Sequence, residues 1–195
     1  MPTVTATSTI AYAHYTLYEA LPRQAARGFK RIEIGSFASY CYHFNNGSPR
    51  PTELKAMLAD YGLTPIALNW NAGIGRSYED TAIAEWLDGY KAKIADAQAV
   101  DIPMMTMHFG RHFAGGDLSE EQKIATDAYA QLAEYASRQE MTMLLELPHM
   151  HLVQDDCDSV ITLLEQLDFA NVGLLIDSSH WGVIGYDLDD FLKRV

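Results

Sequence analysis

Apolar positions along this chain follow two alternating periods. Short, dense apolar runs bounded by glycine or polar residues are separated by longer stretches with an apolar residue every three or four positions. The first pattern predicts strands and the second amphipathic helices. Ser8–Ala13 reads as a short β-rich run. Leu17–Arg27 reads as a helix with Leu17, Ala20, Leu21 and Ala25 on one side, stopped by Gly28. Further strands are predicted over Arg31–Ser36, Leu63–Asn69, Ile102–His108, Met141–Glu146 and Val172–Ile176. Helices are predicted over Thr52–Tyr61, Glu79–Val100, Ser119–Arg138, Asp158–Leu167 and from Tyr186 to Val195, with Ser119 and Gln122 spaced as a capping box. Val172–Ile176, uninterrupted by polar residues, reads as a strand buried on both faces.

Strand starts recur near residues 31, 64, 103, 142 and 172. That spacing of roughly 30 to 40 residues is the length of one strand, one helix and two loops. Strict alternation predicts a parallel sheet with right-handed crossovers. No linker or composition break divides the chain, so residues 1–195 are read as a single domain. Two α/β folds compete. A nucleotide-binding doubly wound sheet needs a glycine-rich loop after its first strand, and none is present. Polar residues close several strands instead, namely Glu33, Asn69, His108, Glu146 and Asp177. That suits a (β/α)8 barrel of the TIM type, whose site draws side chains from many strand ends. Such a barrel has eight units and about 250 residues, whereas this sequence covers about six. The expected form is therefore a partial barrel, an open curved sheet with exposed edges on its first and sixth strands. Such edges invite self-association.

The chemistry concentrates in two of these units. Met141–Glu146 ends in a carboxylate with His149 three residues on, and Val172–Ile176 is followed by Asp177 with His180 three residues on. A carboxylate at the mouth of an apolar strand is costly to bury unless paired or bound to a metal. Asp177 also suits the N-cap of a following helix. The repetition in successive units is what points to a shared site.

Composition narrows the partners. The net charge is −12, with 14 Lys and Arg against 26 Asp and Glu, which disfavours gripping a phosphate backbone or an anionic membrane. No apolar run approaches the roughly 20 residues of a membrane span, and the N-terminus lacks a signal-peptide pattern. Cys41 and Cys157 fit neither a metal spacing nor a disulfide framework. These features lead to an expectation of a cytoplasmic protein that binds no nucleic acid and no membrane.

Gly28-Phe-Lys-Arg-Ile-Glu33, Gly62-Leu63, the strand-end His108, Leu144-Leu-Glu146 with Pro148, and Asp177-Ser-Ser-His180 together resemble the xylose isomerase-like barrels. That family includes sugar isomerases, ketose epimerases and the endonuclease IV relatives. The resemblance implies one divalent metal, Mn²⁺ or Mg²⁺ first and Co²⁺ or Zn²⁺ next. It implies Glu146 as metal ligand and catalytic acid/base, Asp177 as metal ligand, and His180 and His108 as substrate contacts. The family's seventh-strand His and eighth-strand Glu have no counterpart within these residues. Trp70 and Trp181, near strand ends, are candidates for an apolar wall against a sugar. The expected activity is isomerisation or epimerisation of a carbohydrate by proton transfer next to a carbonyl. A dehydratase or lyase acting on a cyclic polyol is the alternative, and a non-catalytic truncated barrel or binding module is the alternative of another class. Histidines 14, 43, 108 and 112 keep a nuclease reading open, against the acidic charge.

Overall fold

A computed structural model describes residues 4–37, 40–45, 48–70, 78–107, 110–148 and 152–194. Its six strands form one sheet in the order β1 to β6. They are β1 (Thr7–Ser8), β2 (Arg31–Gly35), β3 (Thr64–Asn69), β4 (Met104–Met107), β5 (Thr142–Glu146) and β6 (Val172–Leu175). The intervening helices are α1 (Leu17–Ala26), α2 (Pro51–Asp60), α3 (Asp80–Gln98), α4 (Leu118–Arg138) and α5 (Cys157–Leu167). The short helices α6 (Ser178–Ile184) and α7 (Leu188–Leu192) follow β6. The pairs β1–β2, β2–β3, β3–β4 and β5–β6 are parallel, as the alternation of strand and helix requires.

Contacts cluster into two compact units, residues 1–72 with 92–106, and residues 73–91 with 107–195. In the first, β2 alternates buried Ile32 and Ile34 with half-buried Glu33. The isoleucines belong to a core with Leu17, Ala20 and Leu21 of α1 and Leu54 and Leu58 of α2. In the second, β5 buries Met143 and Leu145 and turns Thr142, Leu144 and Glu146 to the other face. Its core takes Ala125, Tyr129, Leu132 and Ala133 from α4 and Val160, Leu163 and Leu167 from α5. Trp86 lies against Tyr90 and Tyr129 in the same core, with ring centroids 4.6 and 6.2 Å away. No helix among the described residues is long and apolar enough to cross a membrane.

Four local expectations are corrected. The first β-rich run is a strand only at Thr7–Ser8, because the Ser8 hydroxyl accepts from the Ile10 N–H and starts a 3-10 helix over Thr9–Tyr12. Helix α4 is capped by Asp117 rather than Ser119; its carboxylate accepts from the N–H groups of Ser119 and Glu120, two orphan donors of the first turn. Strand β6 is half-buried along its whole length rather than buried on both faces, being the last strand in the order. The chain beyond Asp177 turns into α6 at once, in keeping with the reading of Asp177 as an N-cap, although the apolar pattern placed no helix before Tyr186. Gly185, at φ 75°, closes that helix by donating its N–H to the Trp181 carbonyl.

Candidate metal centre

Glu146 is the last residue of β5, and its register partner is Leu175 of β6. Asp177 lies two residues beyond Leu175, so the period-2 alternation of a strand returns it to the face that carries Glu146. The sequence then forces a turn. Asp177 adopts an extended backbone at the N-cap of α6, and its Oδ1 accepts from the Ser179 N–H at 2.8 Å and the Ser179 hydroxyl at 2.7 Å. The role of Asp177 as a cap is therefore real, with Oδ1 taking both bonds from Ser179. The other, Oδ2, lies 3.7 Å from His180 Nε2. His180, in the first turn of α6, directs its Nδ1 to within 3.9 Å of Glu146 Oε1.

Three side chains are thus gathered from two strand ends and one helix start. Glu146, Asp177 and His180 each offer a donor atom within 4.8 Å of the others, and all three residues are half-buried. The hydroxyl of Ser179, more than any other contact, holds the Asp177 carboxyl below the usual carboxylate range, with the Ser179 N–H and His180 acting in the same direction against partial burial. Asp177 is therefore anionic at neutral pH, and a second carboxylate stands across the imidazole from it. Two acids converging in partly desolvated surroundings repel one another unless a cation lies between them.

The donor set fits a divalent metal. Bond lengths of roughly 2.0–2.2 Å around such an ion separate its donor atoms by about 3 to 4.3 Å, and one atom from each of the three residues lies within 4.8 Å of the others. Two carboxylates suit Mg²⁺ or Mn²⁺, and one imidazole nitrogen extends the choice to Co²⁺ and Zn²⁺.

The remaining candidates fall elsewhere. His108, His149 and His151 lie outside the described residues. Trp70 follows β3 in the first compact unit and is half-buried. Trp181, a candidate wall for a sugar, is a core residue at 2% exposure, with its ring centroid 4.5 Å from that of Phe191. It is buried because α6 turns it inward onto α7.

One pair had no sequence signal as a pair. His112, in the loop between β4 and α4, has its Nδ1 2.6 Å from Oε2 of the buried Glu121. These residues are nine apart, across a loop–helix junction that no periodic pattern spans. A Cβ at residue 116 would overlap the Glu121 carboxylate, so any larger residue there would force that carboxylate to shift.

A sequence model described as xylose isomerase-like TIM barrel matches residues 22–195. No curated protein matches the chain by sequence. Among solved structures, the IolI protein with a bound zinc atom superposes with a TM-score of 0.82 at 16% identity, covering 98% of this chain and 69% of that one. The D-allulose 3-epimerase of Methylomonas sp. in complex with D-allulose gives a TM-score of 0.78 at 14% identity, with 96% and 66% covered. The probable 3-DHS dehydratase AsbF of Bacillus anthracis gives 0.74 at 19% identity, with 98% and 69% covered. The chain spans about two thirds of the length of each of these structures.

Proposed function

Because the chain belongs to the xylose isomerase-like TIM barrel family, we propose that it carries the metal-binding half of a carbohydrate isomerase or epimerase site. The observation that carries this reading is the convergence of Glu146, Asp177 and His180 at the ends of β5 and β6. Glu146 and Asp177 would hold a divalent cation, Mn²⁺ or Mg²⁺ first, with one ring nitrogen of His180 as third donor. His180 stands between the two carboxylates, which favours this ligand role over contact with a substrate hydroxyl. When bound, the cation would polarise a carbonyl and an adjacent hydroxyl and so acidify the C–H between them.

The chain's own residues do the rest. Glu146 is the proton carrier. It is the less exposed of the two carboxylates, with 13% of its side chain accessible against 38% for Asp177, and Asp177 has one oxygen committed to Ser179. In the forward step the Glu146 carboxylate accepts the proton from the hydroxyl-bearing carbon, and the electron pair of that C–H bond moves toward the carbonyl oxygen. His108 and Trp70, which come directly after Met107 and Asn69 in the sequence, remain the proposed substrate contacts, and the substrate class is a small carbohydrate with a hydroxyl beside its carbonyl.

Glu146→Gln is expected to abolish solvent deuterium incorporation into a panel of ketoses while circular dichroism stays unchanged. Undiminished exchange would remove Glu146 from the role, and absence of exchange in the parent protein would remove the isomerase reading. The likeness to a probable dehydratase supports a second reading at the same residues, proton removal followed by loss of hydroxide. It is distinguished by an ultraviolet-absorbing unsaturated product.

A further inference from the structure

Helices that lie side by side over one sheet close the gap between them with apolar side chains, because that gap continues the core. Helices α4 and α5 do so with Tyr129, Leu132, Val160 and Leu167, all buried. Elsewhere along the two helices the gap changes character. Positions 119, 122, 126 and 130 of α4 are spaced three or four residues apart and so share one face. With positions 159, 162, 163 and 166 of α5 they line a groove of about 520 Å³. Serine, threonine and glutamine make most of this lining, and Ala130 and Leu163 are its apolar part.

Gln154 is what distinguishes this groove from an ordinary polar surface. It lines the groove yet is only 2% exposed, and its side-chain oxygen has no hydrogen-bond partner among the described residues. A buried amide oxygen without a donor is costly, so the groove calls for an O–H or N–H from outside the chain. The backbone just before Gln154 is held on both sides. Val153 N–H donates to the Gly110 carbonyl at 2.8 Å, and the Val153 carbonyl accepts from the Gln122 amide at 2.7 Å.

The other lining groups decide the chemistry of the ligand. The Thr126 hydroxyl donates to the Gln122 carbonyl at 2.8 Å and the Ser159 hydroxyl to the Asp156 carbonyl at 3.0 Å, which leaves both oxygens as acceptors. Thr162 and Gln166, both exposed, can donate as well as accept. The charges cancel locally, since Lys123 Nζ lies 2.8 Å from Asp127 Oδ2. The helix starts do not favour an anion either. The carboxylates of Asp117 and Asp156 already accept from the N–H groups of Ser119, Glu120 and Ser159. No aromatic side chain among the described residues lines the groove, so a planar ring finds no stacking partner. A neutral molecule with several hydroxyls, each able to donate and accept, matches these groups.

We propose that the α4–α5 groove is a binding site for a small neutral polyol, one hydroxyl of which donates to Gln154 Oε1. None of the groove's residues belongs to the centre formed by Glu146, Asp177 and His180, and the site would fill whether or not that centre turns over a sugar.

Xylitol, which has no carbonyl to react at the metal centre, is the probe. In ¹H–¹⁵N spectra of the whole chain, a xylitol titration is expected to shift the Gln154 side-chain amide and the backbone amides of Ser119 and Thr162, saturating in the millimolar range. Gln154→Leu, close in volume and free of the unpartnered oxygen, is expected to keep the fold and lose the saturable shifts. Thr162→Val, at an exposed position, should weaken binding by about five- to tenfold, the worth of one hydrogen bond. Glu146→Gln should bind xylitol as the parent does. An unmoved Gln154 amide at the solubility limit of xylitol means that water alone serves the oxygen, and overturns the site. Parent-like affinity in either folded variant overturns it as well. Tighter binding of inorganic phosphate at the same resonances overturns the choice of a neutral polyol, and loss of the shifts in Glu146→Gln would assign them to the metal centre instead.

Discussion

The two compact units contain the same kinds of polar residue and use them in opposite ways. In the first, Glu33 on β2 accepts a hydrogen bond from the Ser8 hydroxyl at 2.7 Å, a neutral donor on the adjacent strand. His43, only 3% exposed, has Nε2 2.8 Å from the Tyr15 carbonyl. A carbonyl can only accept, so Nε2 carries the proton and Nδ1 accepts from the Cys41 thiol 3.3 Å away. Burial pushes that thiol's pKa up and keeps its proton in place. Lys93, buried on α3, ends on the Phe44 carbonyl at 3.0 Å and on Asp96. The first unit spends its polar groups on fixing its own loops. In the second unit, two carboxylates and an imidazole converge at two strand ends, an arrangement that no internal neutral donor explains. A strand-borne Glu or a buried His is therefore not a site by type. What separates Glu146 from Glu33, and His180 from His43, is the company each keeps.

The sharpest way to break this contrast is to remove the metal ligand while keeping the cap. Asp177→Ser retains an N-cap side chain for α6, so the helix should persist, yet Mn²⁺ affinity should fall on the order of 100-fold, at the upper end of what outer-sphere changes cost. Glu33→Gln in the same titration should leave the affinity unchanged. Electron paramagnetic resonance of free Mn²⁺ measures both, and equal losses in the two variants would erase the distinction between the units.

The histidines give the next largest effect, with opposite signatures. His43→Ala removes two buried hydrogen bonds and opens a cavity, and should cost about 2–3 kcal/mol in urea unfolding with no change in Mn²⁺ binding. His180→Ala should cost less than about 0.5 kcal/mol but weaken Mn²⁺ binding roughly tenfold, within the range set by a lost metal-site partner.

Acid titration sharpens the comparison further. The folded-state pKa of Asp177 is depressed, so the stability it lends α6 is fully present above the ordinary carboxylate range and is lost as pH falls through the depressed value. Near-ultraviolet circular dichroism of Trp181, which reports the α6–α7 contact through Phe191, should decay in that acid window, below the ordinary Asp range. Asp177→Asn should flatten this phase. The smallest effect belongs to the cap that has no second role: Asp117→Ala should cost about 1 kcal/mol, and Asp117→Ser close to nothing, with metal binding untouched in both.

Much of the fold was legible because it depends on local periodicity. The alternation of Ile32 and Ile34 with Glu33, the stripe of Leu17, Ala20 and Leu21, and the stops at Gly28 and Gly62, both at positive φ, fix elements without reference to distant residues. Errors fell where a side chain competes with the backbone pattern. Ser8 turned a β-rich run into a 3-10 helix, Asp117 outcompeted Ser119 as a cap, and Asp177 started a helix where the following residues carry no clear apolar stripe.

By itself, the sequence determined that Glu146 ends one strand and that Asp177 closely follows the next, since strand period follows from chain chemistry alone, whereas Glu33, read as closing a strand, lies in the middle of β2. Only the tertiary structure decided that His180 lies between those two carboxylates, that Trp181 turns into the core, and that Glu121 backs His112. Each of these depends on a rotamer or a helix start set by through-space partners, Ser179 for Asp177, Phe191 for Trp181 and the absent Cβ of Gly116 for Glu121. Distances of that kind have no counterpart in residue spacing.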